Sequence, residues 1–345
     1  MECKSNFMLG EIKSKNPISR IGIGPMSSEV IEAVFRYSEK HEIPLMLVAS
    51  KNQVDWDGGY VNQWKTDDYM AYVKKMRQQY AKAKVYICRD HCGPGFKNDN
   101  LADVYKTIDS DIENGFDLIH VDFCRYKGER QEIFNQAKKA VEYIYKKSSN
   151  ILIEVGMDEN KGDFLMDSSG IEEELRFFTT LGPVHFFVLQ TGSLIMEINQ
   201  VGKFNKALLK AVRPLAKKYK VFFKEHNCDY LSAEDIAMRR ELIDAINIAP
   251  QYGIFQTMIT LEKALLYGID PAEFLNDAYA SKKWEKWLYV NTKENRLRCS
   301  IIAGHYVFAG DAYQRLYNKI NKHENLRETI IGELMKSLLI YATNF

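Results

Sequence analysis

The chain has 345 residues, 46% of them hydrophobic and 27% charged, an ordinary composition for a folded soluble chain. Lys plus Arg number 47 against 46 Asp plus Glu, so no global field recruits nucleic acid or an anionic membrane. No apolar run approaches the roughly 20 residues that span a bilayer, and the opening MECKSNFMLGEIKSK lacks the apolar core of a signal peptide. A cytoplasmic protein is expected. Its cysteines, at positions 3, 88, 92, 124, 228 and 299, then read as reduced thiols. Cys88 and Cys92 have no accompanying Cys-x-x-Cys pair and are not expected to make a structural zinc site.

Eight β-rich runs follow one another along the chain: RIGIGP (20–25), PLMLVAS (44–50), KVYICRD (84–90), DLIHVDFC (117–124), NILIEVGM (150–157), HFFVLQTG (185–192), KVFFKEH (220–226) and AINIAP (245–250). Between them lie stretches such as SSEVIEAVFRYSEK and NKALLKAVRPLAKKY, with apolar residues at helical spacing. Length alone suggests two domains, but an α/β barrel uses more than 200 residues as one. A doubly wound open sheet would read the same strand by strand. The strand count, and the lack of a Gly-x-Gly-x-x-Gly turn opening a helix, favour an α/β fold of the (β/α)8 TIM-barrel type over residues 1–270. Beyond residue 270 the strand pattern stops. ASKKWEKWLYV and ENLRETIIGELMKSLLIYA predict a helical C-terminal extension, 271–345, that packs on the barrel or joins subunits.

Barrel enzymes place their chemistry at the C-terminal ends of the strands. Those ends carry Ser50, Asn52 and Gln53; Asp90 and His91; Asp122; Glu154; Gln190; Glu225, His226 and Asp229; and Asn247. The opposite ends carry mostly Lys, Pro, Asn and Gly. Two histidines and a carboxylate from separate strands suit Zn²⁺ or a similar divalent ion with an open position, although each alone also reads as an ordinary rim residue. His120, inside the fourth strand, reads as structural. His185, at the far end of its strand, is not a ligand. Lys51 reads as solvated, or as a partner for an anionic group of a substrate. Gly58-Gly59-Tyr60 reads as a tight loop able to close over the site, and His305 as a residue able to reach over the rim.

The motifs ASKNQVDWDGGY, RDHCGPG, IHVDFC, LIEVG, LQTG and EHNCDY occur in an order that resembles one family, over roughly residues 20–260. It is the class II D-tagatose-bisphosphate aldolase accessory-subunit family, whose relatives include metal-dependent ketose-phosphate (tagatose 6-phosphate) 4-epimerases; class II fructose-bisphosphate aldolases are more distantly similar. Three motifs depart from the family's pattern: Lys51 precedes Asn52 where the family has Ser, Thr191 follows Gln190 where it has Pro, and Asn227-Cys228 stands where it has Ser-Thr. The resemblance implies Asp90, Asp122 and Glu154 as catalytic groups, with Asp90 the proton-transfer residue. It implies His91, Glu154 and His226 as ligands of Zn²⁺, alternatively Mn²⁺ or Mg²⁺. Substrate-binding positions would be Ser50, Lys51, Asn52, Gln53, Gln190, Asp229 and Asn247. The expected activity is epimerisation of a ketose phosphate or related sugar, at C4 by retro-aldol and aldol steps. Cleavage as an aldolase, 3-epimerisation, and a non-catalytic role stabilising an aldolase partner subunit are the alternatives. Expected partners are a sugar or sugar-phosphate substrate and either a second copy of the chain or that aldolase, with neither nucleic acid nor membrane.

Overall fold

Eight short parallel strands close on themselves, each joined to the next by a crossover on the outside. The computed structural model describes residues 16–156, 167–289 and 294–345. The barrel strands are β1 (Ile21–Ile23), β2 (Leu45–Ser50), β3 (Val85–Cys92), β4 (Leu118–Val121), β5 (Leu152–Val155), β6 (Phe186–Val188), β9 (Phe222–Glu225) and β10 (Ala245–Ile248). β1 pairs with both β2 and β10, which closes the ring. All eight predicted strands are present in order, so the (β/α)8 barrel stands. An antiparallel hairpin, β7 (Ile195–Met196) with β8 (Asn199–Gln200), was not anticipated; each arm is only two residues long.

The strands are apolar on both faces because both are covered. Met46, Val48, Tyr86, Cys88, Leu118, Leu152, Phe186 and Ala245 fill the barrel interior. Their neighbours Leu45, Leu47, Ile87, Ile119, Ile153, Phe187, Phe223 and Ile246 face outward into the helical ring. That ring comprises α1 (Ser28–His41), α2 (Thr66–Gln79), α3 (Leu101–Glu113), α4 (Arg130–Lys147), α5 (Ser168–Leu181), α6 (Lys206–Tyr219), α7 (Ala233–Arg239) and α8 (Pro250–Leu266). Local chemistry sets the helix ends. The Ser27 hydroxyl accepts from Val30 N–H to cap α1. Pro250 opens α8, where its missing N–H removes nothing.

Beyond Leu266 the described residues form α9 (Ala272–Ala280), α10 (Arg296–Ala303), α11 (Asp311–Ile320) and α12 (Leu326–Asn344), with short 3-10 turns at Glu285–Trp287 and Gly304–Val307. They pack on the barrel of their own chain. Phe274, Phe308 and Tyr313 stack between α9 and α11. From α12, Arg327 pairs with Glu29 and Glu32 of α1, and the Tyr341 hydroxyl donates to the Cys228 carbonyl at 2.9 Å. No helix among the described residues is long and apolar enough to cross a membrane. The five described cysteines are free thiols.

Candidate active site at the barrel mouth

Strand periodicity carries the interior from apolar to charged. Two residues beyond Leu118 comes His120, beyond Leu152 Glu154, beyond Cys88 Asp90, beyond Phe222 Lys224, and beyond Ala245 Asn247; all are buried or nearly so. The next step along two of these ladders gives Asp122 and His226, both on the wall of a pocket of about 590 Å³. The apolar layer is thus a floor, and the polar layer above it faces the mouth.

RDHCGPG ends β3 because two adjacent side chains must point the same way. In a regular strand Asp90 and His91 would face opposite sides. The pairing of β3 with β4 instead slips between Arg89 and Cys92, and His91 has φ 51°. This bulge brings both side chains to the pocket, at a cost of about 1–2 kcal/mol for a left-handed non-glycine residue. Arg89, pointing outward and buried, anchors the distortion. Its guanidinium makes a paired contact with Asp111 at 2.7 and 2.6 Å and donates to the carbonyls of Ala49 and Val54. Gly93 follows because a Cβ there would lie 1.5 Å from the Asp122 carbonyl oxygen. Gly93→Ala should displace the β4 end, lowering stability by about 1–3 kcal/mol in urea unfolding. An unchanged midpoint would mean that the turn has room to spare.

Asp90, His91, His120 and His226 each offer a ligand atom within 4.8 Å of the others. The three imidazoles lie 5.1–5.3 Å apart, centre to centre. Asp90 approaches His120 Nδ1 at 3.4 Å, His91 Nε2 at 3.6 Å and His226 Nδ1 at 3.8 Å. Two rings are held from behind. His91 Nδ1 pairs with Asp122 at 2.7 Å, leaving Nε2 toward Asp90, and His226 Nε2 pairs with Glu154 at 2.9 Å, leaving Nδ1. A carboxylate on the far nitrogen is how proteins orient metal-binding histidines. His120 Nε2 is buried without a partner. Histidine-rich donors, outer carboxylates and this unsatisfied nitrogen fit one divalent cation.

The charges follow from the same contacts. Burial would raise the Asp90 carboxyl, but the surrounding imidazoles, the charge of His91 foremost, outweigh it and hold the group far below the usual carboxylate range. Burial pulls His91 down, yet Asp90 and Asp122 push it up to about 9. At His226 burial prevails over Asp90 and Glu154, and the imidazole is shifted toward neutrality. A proton on His91 and a cation at its Nε2 exclude one another, so binding the ion releases the proton.

Several sequence expectations change here. Glu154 lies outside the compact donor group; its oxygens are taken by Lys224 at 2.7 Å and by His226. His120, read as structural, is in the group. Lys51 is neither solvated nor turned to the pocket. Pointing opposite to Ser50, it is fully buried and bonded to Asp103 at 2.5 Å. Asp229 is buried away from the pocket wall and accepts from Ala249 and Gln251 N–H, pinning the start of α8. Asn247 lies in the barrel interior with neither side-chain amide atom bonded and does not line the pocket. Ser50, Asn52, Gln53, Asp122 and Gln190 do line it. His185 sits at the opposite end, accepting from Ile18 N–H.

The C-terminal extension covers part of this mouth, with Lys283, Lys286, Trp287, His305 and Tyr306 on the pocket wall opposite Tyr60 of the Gly58–Tyr60 loop. Tyr60 and Tyr306 meet edge to face at 4.7 Å. The β7–β8 hairpin ties both halves. Glu197 N–H donates to the Trp287 carbonyl, while Gln200 donates to the Asn227 and Asp229 carbonyls beside His226.

Fold and site together define a (β/α)8 barrel with a histidine–aspartate cluster at its mouth. The family described as "D-tagatose-1,6-bisphosphate aldolase subunit GatZ/KbaZ-like" matches residues 8–144. The resemblance read from the motifs is borne out over that span, which includes Asp90, His91, His120 and Asp122 and stops before Glu154. Among solved structures, the chain is similar to one described as a "probable tagatose 6 phosphate kinase" from Sinorhizobium meliloti 1021. The identity is 17%, the TM-score 0.73, and coverage 94% of this chain and 92% of that one. It is also similar to a fructose-bisphosphate aldolase from Campylobacter jejuni, with 11% identity, a TM-score of 0.60, and coverage of 98% and 93%. At these identities the likeness concerns the fold.

Proposed function

We propose that the protein is a divalent-metal-dependent epimerase of a ketose phosphate or related sugar, acting at C4 by retro-aldol cleavage and re-addition. The observation that carries this reading is the convergence of Asp90, His91, His120 and His226 beneath a pocket of about 590 Å³, a volume within the range of small-molecule sites. His91, His120 and His226 would hold the ion, Zn²⁺ or alternatively Mn²⁺ or Mg²⁺, with imidazole favouring the first two. When bound, the ion supplies Lewis-acid polarisation of the ketose carbonyl.

Asp90, ionised at neutral pH, accepts the C4 hydroxyl proton as the C3–C4 bond breaks. The C4 oxygen becomes that of an aldehyde, and the bonding pair passes to C3. Rotation of the aldehyde presents its other face, the bond re-forms, and Asp90 returns the proton to the C4 oxygen. Asp122 and Glu154 act through His91 and His226, fixing their orientation. Ser50, Asn52, Gln53 and Gln190 present polar groups to the substrate's hydroxyls. Release after cleavage would make the protein an aldolase; proton removal beside the carbonyl would give 3-epimerisation.

The test is incubation with Mn²⁺, Zn²⁺ or Mg²⁺ and a panel of ketose phosphates, ketoses and keturonates, followed by NMR. A C4 epimer is expected. Two fragments would make it an aldolase, and a C3 epimer would place proton transfer beside the carbonyl. About one divalent ion per chain is expected by mass spectrometry. Glu154→Gln should weaken its binding about 10–100-fold, and His120→Ala by more, in competition with a chromogenic chelator. Unaltered affinity in His120→Ala would remove that ring from the ligand set.

A second reading, an accessory subunit of a separate aldolase, is favoured by the matched family's description as a subunit. An apolar groove between α8, α10 and α12, with Leu265 73% and Leu297 55% exposed, is a surface it could use. Metal-loaded protein that turns over nothing on the panel would support it.

A further inference from the structure

The proposed chemistry uses the floor of the pocket and leaves its cover without a role. Lys283 and Lys286 line that cover, and no carboxylate lies within ion-pair distance of either among the described residues. Lys97, also on the wall, is by contrast taken by Asp57 and Asp55. Aromatic rings hold Lys286, whose ammonium lies 4.8 Å from the Trp287 ring centre and 5.7 Å from that of Tyr306. Such contacts position a cation without cancelling its charge. Arg125, from the loop after β4, also lines the pocket, where it lies over Phe96 at 4.5 Å. Partial burial, and after it the Arg125 charge, lower the Lys286 pKa. The acids on the wall, Asp90 and Asp122, are at the floor among the histidines.

His305 is a second, independent sign that the cover is built for a ligand. It is 1% exposed and on the pocket wall, and its Nδ1 has no partner. Burial, reinforced by the Lys286 charge, lowers it to about 3, so the ring is neutral. A buried unpaired ring nitrogen is costly unless something bonds to it.

We propose that the C-terminal extension is the substrate-selecting half of the site: Lys283 and Lys286, with Arg125, bind a terminal phosphate or carboxylate of an open-chain sugar whose carbonyl end lies at the histidine cluster, and His305 hydrogen-bonds a hydroxyl between them. This rests on the sugar-converting reading above and adds the residues that sense the charge of the substrate. The extension thereby becomes part of the site, not only a cover.

The experiment compares a ketohexose 6-phosphate, a keturonate and the neutral ketohexose with wild-type protein and with Lys283→Ala/Lys286→Ala, by turnover and by calorimetric binding. Wild-type protein should prefer at least one anionic sugar over the neutral one, and the double variant should lose about tenfold or more of that preference, through KM. Lys283→Arg/Lys286→Arg, which keeps both charges, should retain most of it. The pair of anions separates phosphate from carboxylate recognition. A preference undiminished in the double variant, or a wild-type preference for the neutral sugar, overturns the subsite and leaves the epimerase reading standing. Lysine-dependent binding of an anionic sugar without turnover of any sugar does the reverse. Equal binding of all three sugars by wild-type protein, or none, also overturns the subsite.

Discussion

Asp90→Asn should keep its divalent ion and its fold while losing about 10²–10⁴-fold in turnover, the range for removing a general acid–base. The amide has nearly the carboxylate's shape and still reaches His120, which lies 3.4 Å from Asp90. His91 and His226 remain oriented by Asp122 and Glu154. What disappears is a charged oxygen able to accept a proton beside the ligand set. Metal content by mass spectrometry, turnover by NMR and far-UV dichroism on one preparation separate these quantities. Full activity in Asp90→Asn would end its proton-transfer role. Loss of the ion instead would make it a ligand.

Asp111→Ala should cost about 3–5 kcal/mol of stability, because it leaves a buried guanidinium without its counter-charge. Arg89 and Asp111 are both fully buried, and their two contacts are 2.6–2.7 Å. The double change Arg89→Met/Asp111→Leu should cost far less, since a pair replaced by apolar groups leaves no orphan charge. Urea unfolding of the two variants gives the comparison, and equal losses would mean that the charge is not the cause. The effect should extend to the mouth. Arg89 also holds the carbonyls of Ala49 and Val54, which flank the loop carrying Asn52 and Gln53.

The barrel was legible because each strand and helix writes its own period locally; RIGIGP and AINIAP needed no knowledge of their pairing with one another. His91 and His226 were legible for a similar reason, being polar residues where a strand should end. His120 was missed although its signal was present. It lies two residues from both Leu118 and Asp122, so all three share a face, and a mouth-lining Asp122 turns His120 inward as well. The same rule finds Lys224 from His226, and it sends Lys51 outward, opposite to Ser50. The partner of Lys51, Asp103, belongs to another helix, and no local pattern points to it. The slipped pairing at His91 was equally invisible, since a bulge is settled by the neighbouring strand. The short β7–β8 arms fall below the length at which alternation can be recognised, and of the cover only His305 and the Gly58–Tyr60 loop were anticipated.

The contacts of α12 set an order of assembly. Arg327 joins Glu32 across 295 residues of sequence, and Tyr341 joins Cys228 across 113. During translation all eight strands leave the ribosome before this latch exists, and so do the histidines. The nascent chain therefore spends an interval with its β1–β10 seam unclamped and its mouth open to solvent, an exposure typical of proteins dominated by distant contacts. If the proposed roles hold, metal capture would be open to a partly finished protein, whereas sugar selection through the extension would await a completed one.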